Sequence, residues 1–156
     1  MAAPSIGDTI KNFTRPATGN QDIEFSDLKG KNIVLYFYPK DSTPGCTTEG
    51  QDFRDNIHSF EQLNTVILGV SRDSIKRHEN FKLKYEFPFE LLSDQDESLC
   101  NQFEVIKLKK LYGKEYLGID RSTFLIDTKG VLVKEWRSVK VKGHVAEVLN
   151  EVKKLN

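Results

Sequence analysis

Ile33-Val34-Leu35-Tyr36-Phe37-Tyr38 runs directly into Pro39-Lys40-Asp41-Ser42-Thr43-Pro44-Gly45-Cys46-Thr47-Thr48-Glu49. The first six residues form an apolar run that reads as a buried parallel strand. Beyond Glu49, Phe53, Ile57 and Phe60 recur at i, i+4 and i+7, the spacing of one helix face. Cys46 is therefore delivered from a strand end into the first turn of a helix. At that position, unpaired helix N–H groups and the positive end of the helix dipole stabilise a thiolate. The local geometry predicts a reactive cysteine.

The 156 residues predict one domain over 1–156. Apolar residues make up 38% and charged residues 29%, the composition of an ordinary globule. The 23 Lys+Arg balance the 23 Asp+Glu, which argues against a nucleic-acid or anionic membrane partner. No apolar run approaches the roughly 20 residues that span a bilayer. The N-terminus lacks a basic region followed by an apolar one, and two distant cysteines do not make a disulfide framework. A reducing compartment, the cytoplasm, is expected.

Short apolar spots among turn residues in the first 30 positions suggest a hairpin or cap. Strands are expected at 33–38, 65–71, 122–127 and 131–136, with helices near 47–60, 73–85, 97–103 and 142–155. In the last helix Val145, Val148, Leu149 and Val152 form one apolar stripe. Asp127-Thr128-Lys129-Gly130 is a turn joining two apolar strands, so these should pair antiparallel. Residues 105–118, basic and glycine-bearing, read as a loop. The order β-α-β-α, then a β-hairpin and a closing helix, describes an α/β thioredoxin-like fold, a central mixed sheet flanked by helices with an N-terminal β-hairpin.

A buried cysteine is ordinarily an inert core residue. Cys46 departs from that because turn and polar residues surround it: Pro44, Gly45, Thr47 and Thr48. Dithiol exchange needs a second cysteine at Cys-x-x-Cys, and Glu49 stands there instead. Where thioredoxin-like dithiol enzymes carry a proline before the hairpin, this chain has Asp120-Arg121-Ser122-Thr123. Arg121 in that place would direct a fixed positive charge toward the helix start.

Pro39, Thr43 and Cys46 satisfy Pro-x-x-x-Thr-x-x-Cys, and with the run 37–49 they resemble the peroxiredoxins, in particular the bacterioferritin-comigratory or Q branch. Phe53-Arg54-Asp55, Leu91-Leu92-Ser93-Asp94 and residues 121–127 extend the resemblance over nearly the whole chain. It implies a thiol peroxidase acting on hydrogen peroxide and small organic hydroperoxides through a Cys46 sulfenic acid, with no cofactor and no metal. Thr43, the Cys46 N–H and Arg121 would donate hydrogen bonds as charge builds on the departing oxygen. Pro39 would shield the thiolate, and Glu49 would orient Arg121 through a carboxylate–guanidinium pair.

The resemblance also frames a departure. Members of this branch place a resolving cysteine five residues after the reactive one, where Gln51 stands, or in the helix after the second core strand, where Phe81-Lys82-Leu83-Lys84 has none. Cys100, beside Leu99 and one turn from Phe103, reads as an inert core thiol, with a resolving role as the alternative. The expected cycle is one-cysteine, with an external thiol (thioredoxin, glutaredoxin or glutathione) as reductant and a monomer as the working form. A redox sensor or chaperone-like protein on the same fold is the other reading. His58, His78 and His144 lack a metal-site spacing and are expected to be solvated, and Lys107-Leu108-Lys109-Lys110 reads as a solvated patch.

Overall fold

β3 (Asn32–Phe37), the strand that leads into Cys46, occupies the interior of a seven-stranded sheet ordered β2-β1-β5-β4-β3-β8-β9. The structure, a computed structural model, describes residues 3–155. All six residues of β3 are buried, as its apolar run requires of a strand covered on both faces. It pairs parallel with β4 (Thr65–Ser71) and antiparallel with β8 (Ser122–Ile126). β8 continues through the Asp127–Gly130 turn into antiparallel β9 (Leu132–Trp136). Asp127 Oδ1 accepts from the N–H groups of Lys129 and Val131, and Gly130 takes φ +82°, which a side chain would strain.

The N-terminal segment forms the hairpin β1 (Thr14–Ala17) and β2 (Gln21–Glu24), followed by a 3-10 turn over Phe25–Leu28. β1 joins the sheet through β5 (Glu90–Ser93), a short strand absent from the periodicity reading because Leu91 and Leu92 face opposite layers. The sheet is mixed, with helices α1 (Pro44–Asp55), α2 (Ile57–Gln62), α3 (Ile75–Tyr85), α4 (Ser98–Gln102) and α5 (His144–Lys153) packed about it. The α5 stripe Val145, Val148, Leu149 and Val152 is buried as its spacing demands. No helix among the described residues is long and apolar enough to cross a membrane.

Three expectations are corrected. The helix expected over 47–60 is two helices, broken at Asn56, whose side chain donates back to Asp52 O at 2.8 Å. Asn favours such local bonds over continuing a helix. The loop expected over 105–118 is a second antiparallel ribbon, β6 (Ile106–Leu111) with β7 (Lys114–Ile119), turned at Tyr112 and Gly113. Both turn residues have positive φ, 52° and 77°, which matches the twist of a two-residue hairpin. His78 and His144, expected to be solvated, are 0% and 4% exposed, whereas His58 is exposed.

Successive residues of β3 divide the core in two. Ile33, Leu35 and Phe37 pack on one face with Leu99, Cys100 and Phe103, while Val34, Tyr36 and Tyr38 pack on the other with Cys46, Phe53 and Phe60.

Candidate active site

The chain leaves β3, turns through residues 38–43 and enters α1 with Thr43 as N-cap and Pro44 in the first helical position. Proline suits that place because its missing N–H would have been unpaired anyway. Thr43 does not cap with its side chain; its hydroxyl donates back to Lys40 O at 2.8 Å. The amides of the first turn, that of Cys46 among them, are thereby left without a Thr43 cap and available to a ligand. Pro39, which opens the turn, is half-buried.

Cys46 is 2% exposed. Arg121, immediately before β8, brings Nη2 to 3.5 Å from Cys46 Sγ and donates from Nη1 to Glu49 Oε1 at 2.6 Å. Its backbone is fixed on both sides, by Val139 N–H donating to Arg121 O and Asp120 N–H donating to Val105 O. Gly45 permits the approach: a Cβ there would stand 3.1 Å from Nη2. Burial opposes the charge on Arg121, but Glu49 and Cys46 outweigh it and hold the guanidinium above its ordinary value.

Glu49 is fully buried, and its Oε2 has no hydrogen-bond partner among the described residues. Burial pushes its carboxyl up to about 7, against the pull of Arg121. Tyr36 Oη is likewise buried and unpartnered, and burial together with the charges of Glu49 and Cys46 drives the phenol well above its usual range. Lys109, on β6, also belongs to this neighbourhood. Burial lowers its ammonium, Arg121 adds to that shift, and Asp120 and Cys46 oppose it.

The structure thus gathers Cys46, Arg121 and Glu49, with Thr43 at the helix cap. It does not bring Cys100 to them. That thiol is 0% exposed on the opposite face of the sheet, and burial, reinforced by Asp94, pushes it far above the ordinary thiol range. Sequence reasoning missed Lys109, hidden in a segment read as a loop, and His78, which meets Asp41 across the fold. Asp41, Asp73 and His78 place ligand-type atoms within 4.8 Å of one another. Hydrogen bonds to protein groups already engage them: Asp73 Oδ2 accepts from Asp41 N–H and Ser71 Oγ, and His78 contacts Asp41 and Leu92 O.

The AhpC/TSA family model matches residues 6–135. The Bacillus subtilis protein named peroxiredoxin Bcp is 54% identical over 151 residues, 97% of this chain and 96% of that protein. A cysteine-to-serine mutant of Xylella fastidiosa PrxQ superposes with a TM-score of 0.93 at 46% identity, covering 99% of this chain and 98% of that one. The bacterioferritin comigratory protein of Xanthomonas campestris, a structure concerned with that protein's alkyl peroxide reduction, gives a TM-score of 0.89 at 46% identity, covering 99% and 98%. With a thiol at a helix start, an arginine touching its sulfur, and matches along nearly the full length, this chain belongs to the AhpC/TSA family, among the peroxiredoxins of the Bcp/PrxQ kind.

Proposed function

We propose that Cys46 is the peroxidatic thiol of a thiol peroxidase acting on hydrogen peroxide and small organic hydroperoxides. The observation that carries this reading is the Arg121 guanidinium, which reaches Cys46 Sγ with one nitrogen and Glu49 with the other. The Cys46 thiolate attacks one peroxide oxygen. An S–O bond forms, the O–O bond breaks, and the departing oxygen takes a proton to leave as water or an alcohol. Arg121 and the Cys46 N–H meet the charge that builds during this step. Thr43, expected from the sequence to donate to the departing oxygen, instead gives its hydroxyl hydrogen to Lys40 O; its lone pairs are free to accept from the peroxide O–H and so select which oxygen faces sulfur. Glu49 keeps the guanidinium plane fixed. Pro39, half-buried at the opening of the turn, is assigned the shielding of the thiolate.

The sulfenic acid is returned to the thiol by an external reductant: one thiol condenses with it, releasing water, and a second thiol displaces Cys46 from the mixed disulfide. The separation of Cys46 and Cys100 onto opposite sheet faces supports a one-cysteine cycle. We place that cycle in a cytoplasmic monomer served by thioredoxin, glutaredoxin or glutathione. A sensor would need the reactive thiol but not this arrangement around it. Second-order consumption of hydrogen peroxide in excess dithiothreitol tests the reading. A rate orders of magnitude above that of free cysteine is expected; the free-cysteine rate would overturn it.

A further inference from the structure

Asp41 sits in the turn between β3 and α1, 6% exposed, and three residues hold it. Tyr38 Oη donates to its Oδ1 at 2.6 Å, and His78 Nδ1, on α3, lies 2.6 Å from its Oδ2. Its backbone N–H donates to Asp73 Oδ2 at 2.8 Å, beyond the end of β4. Asp73 is itself tied down, accepting from Ser71 Oγ at its carboxylate and from Ser93 Oγ at its carbonyl, both at 2.6 Å. The far side of His78 is also engaged, with Nε2 at 2.9 Å from Leu92 O. A carbonyl oxygen only accepts, so Nε2 carries hydrogen and faces Leu92 O. Every member of this cluster is buried.

A buried polar cluster of this kind is weak evidence for folding stability. A buried acid–base pair loses hydration that its mutual attraction only offsets, and an apolar pair of similar volume commonly does as well or better. The next two residues show what the cluster achieves. Ser42 takes φ +64°, a conformation costly for a residue with a Cβ and kept only where its surroundings impose it. Thr43 follows in an extended conformation as the α1 N-cap, its hydroxyl turned away from the helix.

We infer that His78 and Asp41 are positioning residues for peroxide reduction: their buried pair clamps residues 39–43 in the conformation that aims Thr43 and leaves the Cys46 N–H open. This rests on the peroxidase reading above, and acts through Thr43 and Cys46 without touching the peroxide. The clamp shapes the site for a peroxide, whereas simple alkylation of Cys46 needs only an accessible thiolate. Disturbing it should therefore separate the two reactions.

The test begins with the wild-type rate toward hydrogen peroxide; a value no faster than free cysteine would overturn the peroxidase reading itself. Given a fast wild type, folded His78→Gln should react about 100-fold more slowly with peroxide while alkylation by iodoacetamide stays within about threefold, since small misplacements cost rate on that scale. A wild-type peroxide rate, an equal loss in both reactions, or faster alkylation from a loosened fold would overturn the clamp. Should His78→Gln not fold, Tyr38→Phe removes one hydroxyl from the same cluster and leaves the His78–Asp41 contact. It should slow peroxide reduction about tenfold without slowing alkylation. An unchanged peroxide rate in a folded Tyr38→Phe protein would refute the inference.

Discussion

Cys46 and Cys100 are buried on opposite faces of the seven-stranded sheet. Cys46 packs with Tyr36, Phe53 and Phe60; Cys100 packs with Leu35, Phe37 and Phe103, and its N–H donates to Asp94 Oδ2 at 2.7 Å. Two thiols bridge without rearrangement only when their Cα atoms come within about 7 Å. Here the strands themselves intervene. Cys46→Ser should abolish peroxide consumption, and Cys100→Ser should retain most of it. Equal loss in the two variants, measured with dithiothreitol as reductant, would contradict this assignment.

Arg121 reaches two partners at once because its guanidinium is a planar fork, which an ammonium cannot imitate. Arg121→Lys should lower the second-order rate with peroxide by about 100-fold, the scale on which one transition-state donor is usually felt. Rapid-mixing measurement of sulfenic acid formation gives the number, and a loss below about threefold would remove Arg121 from the proposed mechanism.

Thr43 offers a cleaner comparison, since serine keeps the hydroxyl and valine keeps the shape. Thr43→Ser should stay within about tenfold of wild type, and Thr43→Val should fall by 100-fold or more, roughly the loss of a positioned polar contact. Equal rates in the two variants would mean that the hydroxyl does not orient the peroxide.

Glu49 predicts a pH dependence of stability with a definite sign. Its carboxyl sits at about 7 in the folded protein, against 4.5 for the ordinary group. Between those values the native state holds a proton that the unfolded chain has released. Stability fully present below 4.5 is therefore lost as pH rises through 7. The loss is on the order of a few kcal/mol at most. Urea unfolding at about pH 5 and about pH 8 should show a larger decline in the wild type than in Glu49→Gln. Identical declines would contradict the buried, half-partnered carboxyl.

His144 should act in the opposite direction. Burial holds its imidazole at about 4, Glu147 opposing, and Thr123 Oγ1 lies 2.8 Å from Nε2. Stability present above 6.5 is lost as pH falls through 4, because only the unfolded chain gains the proton in between. His144→Gln should flatten acid unfolding in that window relative to wild type; an unchanged acid limb would show that His144 does not contribute.

Much of the fold and half of the site lie in local sequence. The β3 run, the α5 stripe and the Asp127–Gly130 turn each announce themselves because one neighbourhood decides them. Cys46 was legible from its place at a helix start and Arg121 from its place before β8, whereas the part of Thr43 came only with the family resemblance. The β6–β7 ribbon was not, because most of it faces solvent and Leu108, Leu111 and Leu117 are exposed, so its apolar residues mark no buried face. Its turn carries Tyr112-Gly113 where Asn-Gly would have signalled a hairpin. His78 escaped because its partner is Asp41, 37 residues away, and nothing local marks a histidine that the packing of α3 will bury.

In the proposed cycle Cys46 takes one oxygen from peroxide and keeps it until something outside the chain removes it. Intact mass of the reduced protein after one equivalent of hydrogen peroxide, without added thiol, tests it directly. A monomer heavier by one oxygen is expected, localised to Cys46 by reaction with dimedone. A monomer lighter by two hydrogens, joining Cys46 to Cys100, would contradict it.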